Sequence, residues 1–425
     1  MDTVTASTSG ATHPTASPGT PGLYARLGVR RVINAAGTLT RLGGSRMAPE
    51  VLAAMAEASR AYVRMEDLQV AAGAVIARVT GAEAGYVTSG AAAGLLLGTA
   101  ACVAGDDATL METMPDLSAV TRNEVIVQRA HRNSYDHAVR GTGVRLIEIG
   151  GVGHPTPVPT RPFDLDRAIG PRTAAVLWVE MGDPETLGVL SLPETTAIAA
   201  RHGVPVIVDA AASLPPVSNL RRFIEEGASL VCFSGGKAIG GPQASGILAG
   251  RADLIRSVAL QHQDMDVHPE TWTWRHLIAD GTVDGPPLQG IGRACKVGRE
   301  EIAGLLVALE RFVARDHETE FRSRQAMASM ITEGLRHALA STGAVSIHLD
   351  DGVRNHRPSV TVAIDGPDAR ARVIAAVNRL GDTDPIVAVG QGGLDRGRFS
   401  LSPACLDETD VPDLVQLVAG ALNRP

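Results

Sequence analysis

The chain has 425 residues, long enough for a large core and two packed units. A hydrophobic content of 44% with 20% charged residues describes a soluble globular protein and excludes a disordered or fibrous one. A formal charge of −7 speaks against a general binder of nucleic acid or anionic membranes, and no apolar run reaches the roughly 18–20 residues that span a bilayer.

Residues 1–21 are rich in Thr, Ser, Ala, Pro and Gly and lack the basic and apolar regions of a secretory signal. They are expected to form a disordered tail. An N-terminal segment follows over 22–60, and the apolar spacing of 49–63 predicts a helix with Pro49 in its first turn. Residues 89–105 read as a buried helix opened by Ser89-Gly90 and closed near Gly105. Short apolar runs then predict strands at 144–150, 174–180, 204–212, 230–235 and 245–250, with helical stretches such as 192–203 between most of them. Such alternation predicts an α/β fold with a mostly parallel sheet flanked by helices. A large domain is expected over 61–285. From 286 to 425 the pattern changes to a helix at 299–316, strands near 359–365 and 397–403, and a terminal helix near 411–423, a smaller α+β domain.

The four cysteines, Cys102, Cys232, Cys295 and Cys405, are widely spaced and show neither metal nor disulfide spacing, which suits a reducing, cytoplasmic setting. Only two lysines occur, Lys237 and Lys296, although Lys and Arg together number 39. Lys237 follows the strand LVCFS at a glycine turn, so it is expected at a strand's carboxyl end, where open α/β sheets bind ligands. Asp209 ends VPVIVD in the same way, and a carboxylate there is costly unless paired. TSGAAAG places Thr88, Ser89 and Gly90 at a helix opening, a ready site for an anion. An amine, an acid and a phosphate cradle are together what pyridoxal 5'-phosphate (PLP) requires: a Schiff-base lysine, a partner for the ring nitrogen and a phosphate site.

The stretches INAAGTLTRLGGSRM, VTSGAAAGLLLGTAA, VPVIVDAAASLPP, FSGGKAIGGPQASG and IGRACKVGREEIAGLL resemble the selenocysteine synthase-like branch of the fold-type I PLP enzymes, and within it the D-glucosaminate-6-phosphate ammonia-lyase type. The resemblance covers most of residues 22–425. It implies an aspartate aminotransferase-like fold and a homo-oligomer, a dimer or larger, with active sites at subunit interfaces. Carried over, it implies Lys237 as Schiff-base lysine and base, Asp209 on the pyridine nitrogen, and Ser89, Gly90 and Ser234 on the phosphate. Ala211 would pack on one ring face and His131 stack on the other, with His131 also able to move protons. Thr38, Arg41 and Arg398 are the candidate substrate contacts, an arginine fork being suited to an amino acid's carboxylate. Arg293 and Arg396 are rivals in that role. The segment 261–276, with three histidines and two tryptophans, has irregular ligand spacing, so no metal is expected; it reads as a substrate cover or subunit contact.

The implied reaction is α-proton removal and β-elimination on a small amino acid or amino sugar acid, giving a 2-keto acid and ammonia. A PLP-dependent racemase, aldolase or aminotransferase is the alternative. Seryl-tRNA selenium transfer fits less well: no cation precedes Arg26 and the charge is negative, whereas tRNA binding rests on Lys and Arg. A catalytically silent relative is disfavoured by the intact Lys237 and Asp209.

Overall fold

The computed structural model describes residues 22–151, 158–263, 266–343 and 345–423. The expected tail, 1–21, lies outside them. The chain divides into two compact units. The larger holds Thr38–Ser323 with Arg354–His356, and the smaller holds the chain up to Gly37, Arg324–Val353 and Arg357 onward.

Twelve strands are found among the described residues: β1 (Val32–Ala35), β2 (Ala84–Thr88), β3 (Glu124–Gln128), β4 (Arg145–Ile149), β5 (Thr173–Val179), β6 (Val206–Asp209), β7 (Leu230–Ser234), β8 (Gly246–Gly250), β9 (Val345–Asp350), β10 (Ser359–Ile364), β11 (Ile386–Val389) and β12 (Arg398–Leu401). In the larger unit, seven form one sheet in the order β2-β8-β7-β6-β5-β3-β4. All pairings are parallel except those of β8, which runs against β2 and β7. β2 therefore runs with β7, and its carboxyl end lies at the same edge as those of the parallel strands. Apart from the edge strand β4, where Arg145 and Glu148 are exposed, strand residues of this sheet are almost all buried on both faces, as the continuous Val/Ile/Leu runs predict.

Alternation along the strands sorts side chains between two cores. Leu230 and Cys232 of β7, Ile207 of β6, Leu248 of β8 and Tyr86 of β2 face one core, which also contains the helix Ala91–Ala104. Val231, Phe233, Val206, Val208 and Val87 face the other. Extending the period of two, Thr88, Asp209, Ser234 and Gly246 emerge on the face of the helix Ala91–Ala104. That helix is buried all round, which explains its uninterrupted small and apolar composition.

The helix expected over 49–63 runs only Pro49–Ala58. The amide of Ser59 bonds the Met55 carbonyl and its Oγ bonds Ala56, and beyond them Tyr62 stands 96% exposed with no apolar face to bury. The helix Arg299–Ala314 lies in the larger unit, packed against Pro49–Ala58. The smaller unit carries an antiparallel sheet β12-β10-β9 and a parallel pair β1-β11 around its own core, in which Val360, Val362, Phe399 and Leu414 are fully or almost fully buried.

Candidate active site

Seven sequence-predicted residues, Ser89, Gly90, His131, Asp209, Ala211, Ser234 and Lys237, lie at or just past the carboxyl ends of strands of the larger sheet. Asp209 is the last residue of β6 and lies opposite Cys232 on the adjacent strand β7. It is 9% exposed, and Oδ1 accepts the Ala211 amide at 3.0 Å. The other oxygen takes no hydrogen bond from the described residues. Burial pushes its pKa above the ordinary carboxylate value, while the Ala211 amide and the positive charge of Lys237 pull it down. That electrostatic contact brings Lys237 and Asp209 into one site.

Lys237 sits in a single wide helical turn, Gly235–Ile239, which follows β7 directly. The amide of Gly235 bonds Ser245, that of Gly240 bonds Lys237 and that of Gly241 bonds Gly235, so the turn is closed on itself. A methyl on Gly236 would approach the Gln243 backbone to 2.8 Å, which accounts for the glycine pair before the lysine.

At β2 the chain turns through Thr88, Ser89 and Gly90 into the helix Ala91–Ala104. Thr88 is buried, and its hydroxyl donates to the Gly90 carbonyl at 2.8 Å. Gly90 takes φ +138, which only glycine adopts freely, and a Cβ there would meet nothing within 4 Å. Like those of any helix, the first-turn amides of this 14-residue helix have no partner within it, and they follow directly on the open position at Gly90. Gly246 is required beside them, because a methyl on it would come within 2.6 Å of the Gly90 carbonyl carbon. Ser89 is placed there too, but its hydroxyl donates to the Cys295 carbonyl at 2.8 Å. Its hydrogen is therefore engaged, and the donors left facing an anion are backbone amides.

His131 follows β3 in a short turn, is 1% exposed, and meets Trp178 edge-on with ring centres 5.2 Å apart. The Val179 amide donates to Nδ1 at 3.4 Å, which assigns the ring proton to Nε2. Burial holds its pKa down to about 4, so the ring is neutral at ordinary pH. Ala211 and Ser234 are half-buried at the ends of their strands.

The substrate candidates are divided between the two units. Thr38 is half-buried and Arg41 exposed, both on the larger unit's segment that reaches the Lys237 turn through Ser45. Arg398 opens β12 in the smaller unit, paired with Ala363. Within 261–276, Asp264 and Met265 lie outside the described residues. Residues 266–271 are exposed, but the flanks turn inward: His262 accepts from Tyr86 at 2.8 Å through Nδ1 and reaches the Cys295 carbonyl at 3.1 Å through Nε2, while Trp272 is buried with its ring N–H on Gln263. No group of metal-binding side chains occurs among the described residues. Sequence reasoning missed Ser45, Arg315, Tyr86 and His262, whose partners lie far along the chain and carry no local pattern.

An amine, an acid with one oxygen unpartnered, and an open row of helix amides fit PLP. Residues 32–265 match the SelA family, described as L-seryl-tRNA selenium transferase. D-glucosaminate-6-phosphate ammonia lyase of Salmonella typhimurium is 36% identical over 297 residues, which are 69% of this chain and 70% of that protein. The 5'-C-glycyluridine monooxygenase-decarboxylase of a Streptomyces species is 32% identical over 393 residues, 90% of this chain and 88% of that one. The solved structure of D-glucosaminate-6-phosphate ammonia-lyase is similar with a TM-score of 0.75 at 28% identity, covering 95% of this chain and 98% of its own. The fold is thus the aspartate aminotransferase-like, fold-type I arrangement, and the protein is a PLP-dependent enzyme. From the match over more than half its length and these relatives, the chain belongs to the SelA family.

Proposed function

We propose that the protein is a PLP-dependent lyase that removes the α-proton of a small amino acid or amino sugar acid and expels a β-substituent, releasing a 2-keto acid and ammonia. The observation that carries this reading is the placement of Asp209 at the end of β6 and of Lys237 in the turn after the neighbouring parallel strand β7, near enough for the lysine's charge to act on the aspartate. The likeness to D-glucosaminate-6-phosphate ammonia lyase supports the choice of elimination.

When bound, PLP draws electron density from the α-carbon of an amine joined to it. Lys237 is the residue that would hold the cofactor, and its Nζ, as a neutral amine, would take the α-proton. Asp209 offers its unpartnered oxygen to the ring nitrogen and keeps that nitrogen protonated. The amides at the start of Ala91–Ala104 hold the phosphate, with Gly90 giving clearance and Ser89 and Ser234 bordering it. Ala211 covers one ring face and neutral His131 the other, where its Nε2 proton is available to a departing group. Thr38, Arg41 and Arg398 contact the substrate, an arginine taking the carboxylate. The enzyme works as a cytoplasmic homo-oligomer on a free small molecule; its charge of −7 disfavours a tRNA substrate.

A panel of amino acids and amino sugar acids, phosphorylated and not, tests the reading. Equal amounts of keto acid and ammonia, formed without oxygen, are expected. Carbon dioxide release that consumes oxygen, the outcome named for the Streptomyces relative, would overturn it, as would an inverted amino acid with no ammonia.

A further inference from the structure

The turn that carries Lys237 ends a strand and is not continued as a helix, so its outward carbonyls have no partners within it. They are met from two remote places. Ser45 donates its amide at 3.0 Å and its hydroxyl at 3.1 Å to the carbonyl of Gly236. Arg315, just beyond the helix Arg299–Ala314, donates Nη1 to the Ala238 carbonyl at 3.3 Å and Nη2 to the Ile239 carbonyl at 3.2 Å. The arginine fork spans two successive carbonyls, which a lysine ammonium cannot do in one geometry. Its approach also explains Gly240, at φ +79, where a methyl would stand 3.1 Å from Nη2. Close approach recurs at Gly44, where a methyl would come within 2.5 Å of the Gly236 carbonyl oxygen.

The consequence is specific to Lys237. The peptide group before it is held through Gly236 by Ser45. The one after it accepts the Gly240 amide, and the next two carbonyls are held by Arg315. The backbone is fixed on both sides of Lys237, so the reach of its amine is set by side-chain rotation alone. We propose that Ser45 and Arg315 are positioning residues that fix the Lys237 amine for attachment of the cofactor and for proton transfer, an inference that rests on the reading of Lys237 given above.

The test compares wild type, Arg315→Met, Arg315→Lys, Ser45→Ala and the control Arg311→Met, whose exposed side chain on the same helix pairs with Glu50 instead. Each full-length protein is freed of cofactor and reloaded with PLP. The readouts are the pH midpoint of the bound cofactor's visible absorption change, the rate at which borohydride-fixed cofactor appears on the Lys237 peptide, and amide hydrogen exchange over 235–241 without cofactor. Arg315→Met is expected to slow attachment about tenfold, as small misplacements of a reacting group do, and to move the midpoint by about half a pH unit. Exchange at Gly240 and Gly241 should rise. Ser45→Ala should shift the same readouts less, Arg315→Lys, whose ammonium reaches only one of the two carbonyls, should recover only a small part of the attachment rate, and Arg311→Met should match wild type. If Arg315→Met and Ser45→Ala keep the wild-type midpoint and attachment rate, the inference fails. Should Arg315→Met not fold, Ser45→Ala and Arg315→Lys decide it by the same criteria. Cofactor fixed elsewhere than Lys237 in wild type would overturn the reading of the site itself, which separates the two failures.

Discussion

Asp209 and Lys237 stand at the ends of adjacent parallel strands: Asp209 closes β6 opposite Cys232, and Lys237 lies five residues beyond Cys232 in the turn after β7. Two effects oppose each other at the aspartate. Burial favours its neutral form, and the lysine's charge and the Ala211 amide favour the anion, with burial the stronger. Without cofactor the carboxylate is therefore held at a cost, and a cationic ring nitrogen against its open oxygen would relieve that cost.

Asp209→Asn should separate stability from function. Asp209 has a raised folded-state pKa, so its contribution is present at low pH and is lost as pH rises through that value. The cofactor-free Asn variant should therefore unfold at higher denaturant than wild type at neutral pH. Its turnover should fall by about a hundredfold or more, since an amide cannot hold the ring nitrogen protonated. An Asn variant that is less stable and equally active would contradict this role.

Gly90→Ala should weaken cofactor binding. Its φ of +138 costs alanine roughly 1–3 kcal/mol of backbone strain, and the new methyl would occupy the space before the helix amides. PLP affinity, measured by fluorescence titration, should drop about tenfold or more. Ser89→Ala should change it less, because that hydroxyl's hydrogen already serves Cys295.

His131 gives a pH signature. Its folded value, about 4, lies below the unfolded 6.5, so the unfolded chain binds more protons between them. Its contribution to stability is complete above about 6.5 and is lost as pH falls toward 4, amounting to about 3 kcal/mol. Unfolding titrations of cofactor-free wild type and His131→Gln across that window should show a steeper slope for wild type. Equal slopes would place the histidine in a charged or solvated setting.

The sheet was readable because VIVD and LVCFS are buried on both faces and so run apolar without interruption, and because Asp209 and Ser234 break those runs where the strands end. Lys237 stood out through the scarcity of lysine. Ser89 lies at the helix opening where the TSGAAAG run puts it, yet its hydroxyl partner, the backbone of Cys295, lies 206 residues away and has no sequence signature. Ser45 and Arg315 are invisible for the same reason: their partners are carbonyls, which every residue carries. The aromatic stretch at 261–276 reads as a substrate cover or subunit contact; within it residues 266–271 are exposed, whereas Trp272 finds Gln263 for its ring N–H and turns into the core, a division that the composition does not reveal.

Covalent attachment of the cofactor bears most directly on the whole account, and two lysines make it decisive. Holoenzyme would be reduced with borohydride, digested and mapped by mass spectrometry, alongside Lys237→Arg and Lys296→Arg. The expected result is pyridoxyl mass on Lys237 alone, lost in Lys237→Arg and kept in Lys296→Arg. Modification of Lys296, or retention of the adduct in Lys237→Arg, would contradict it.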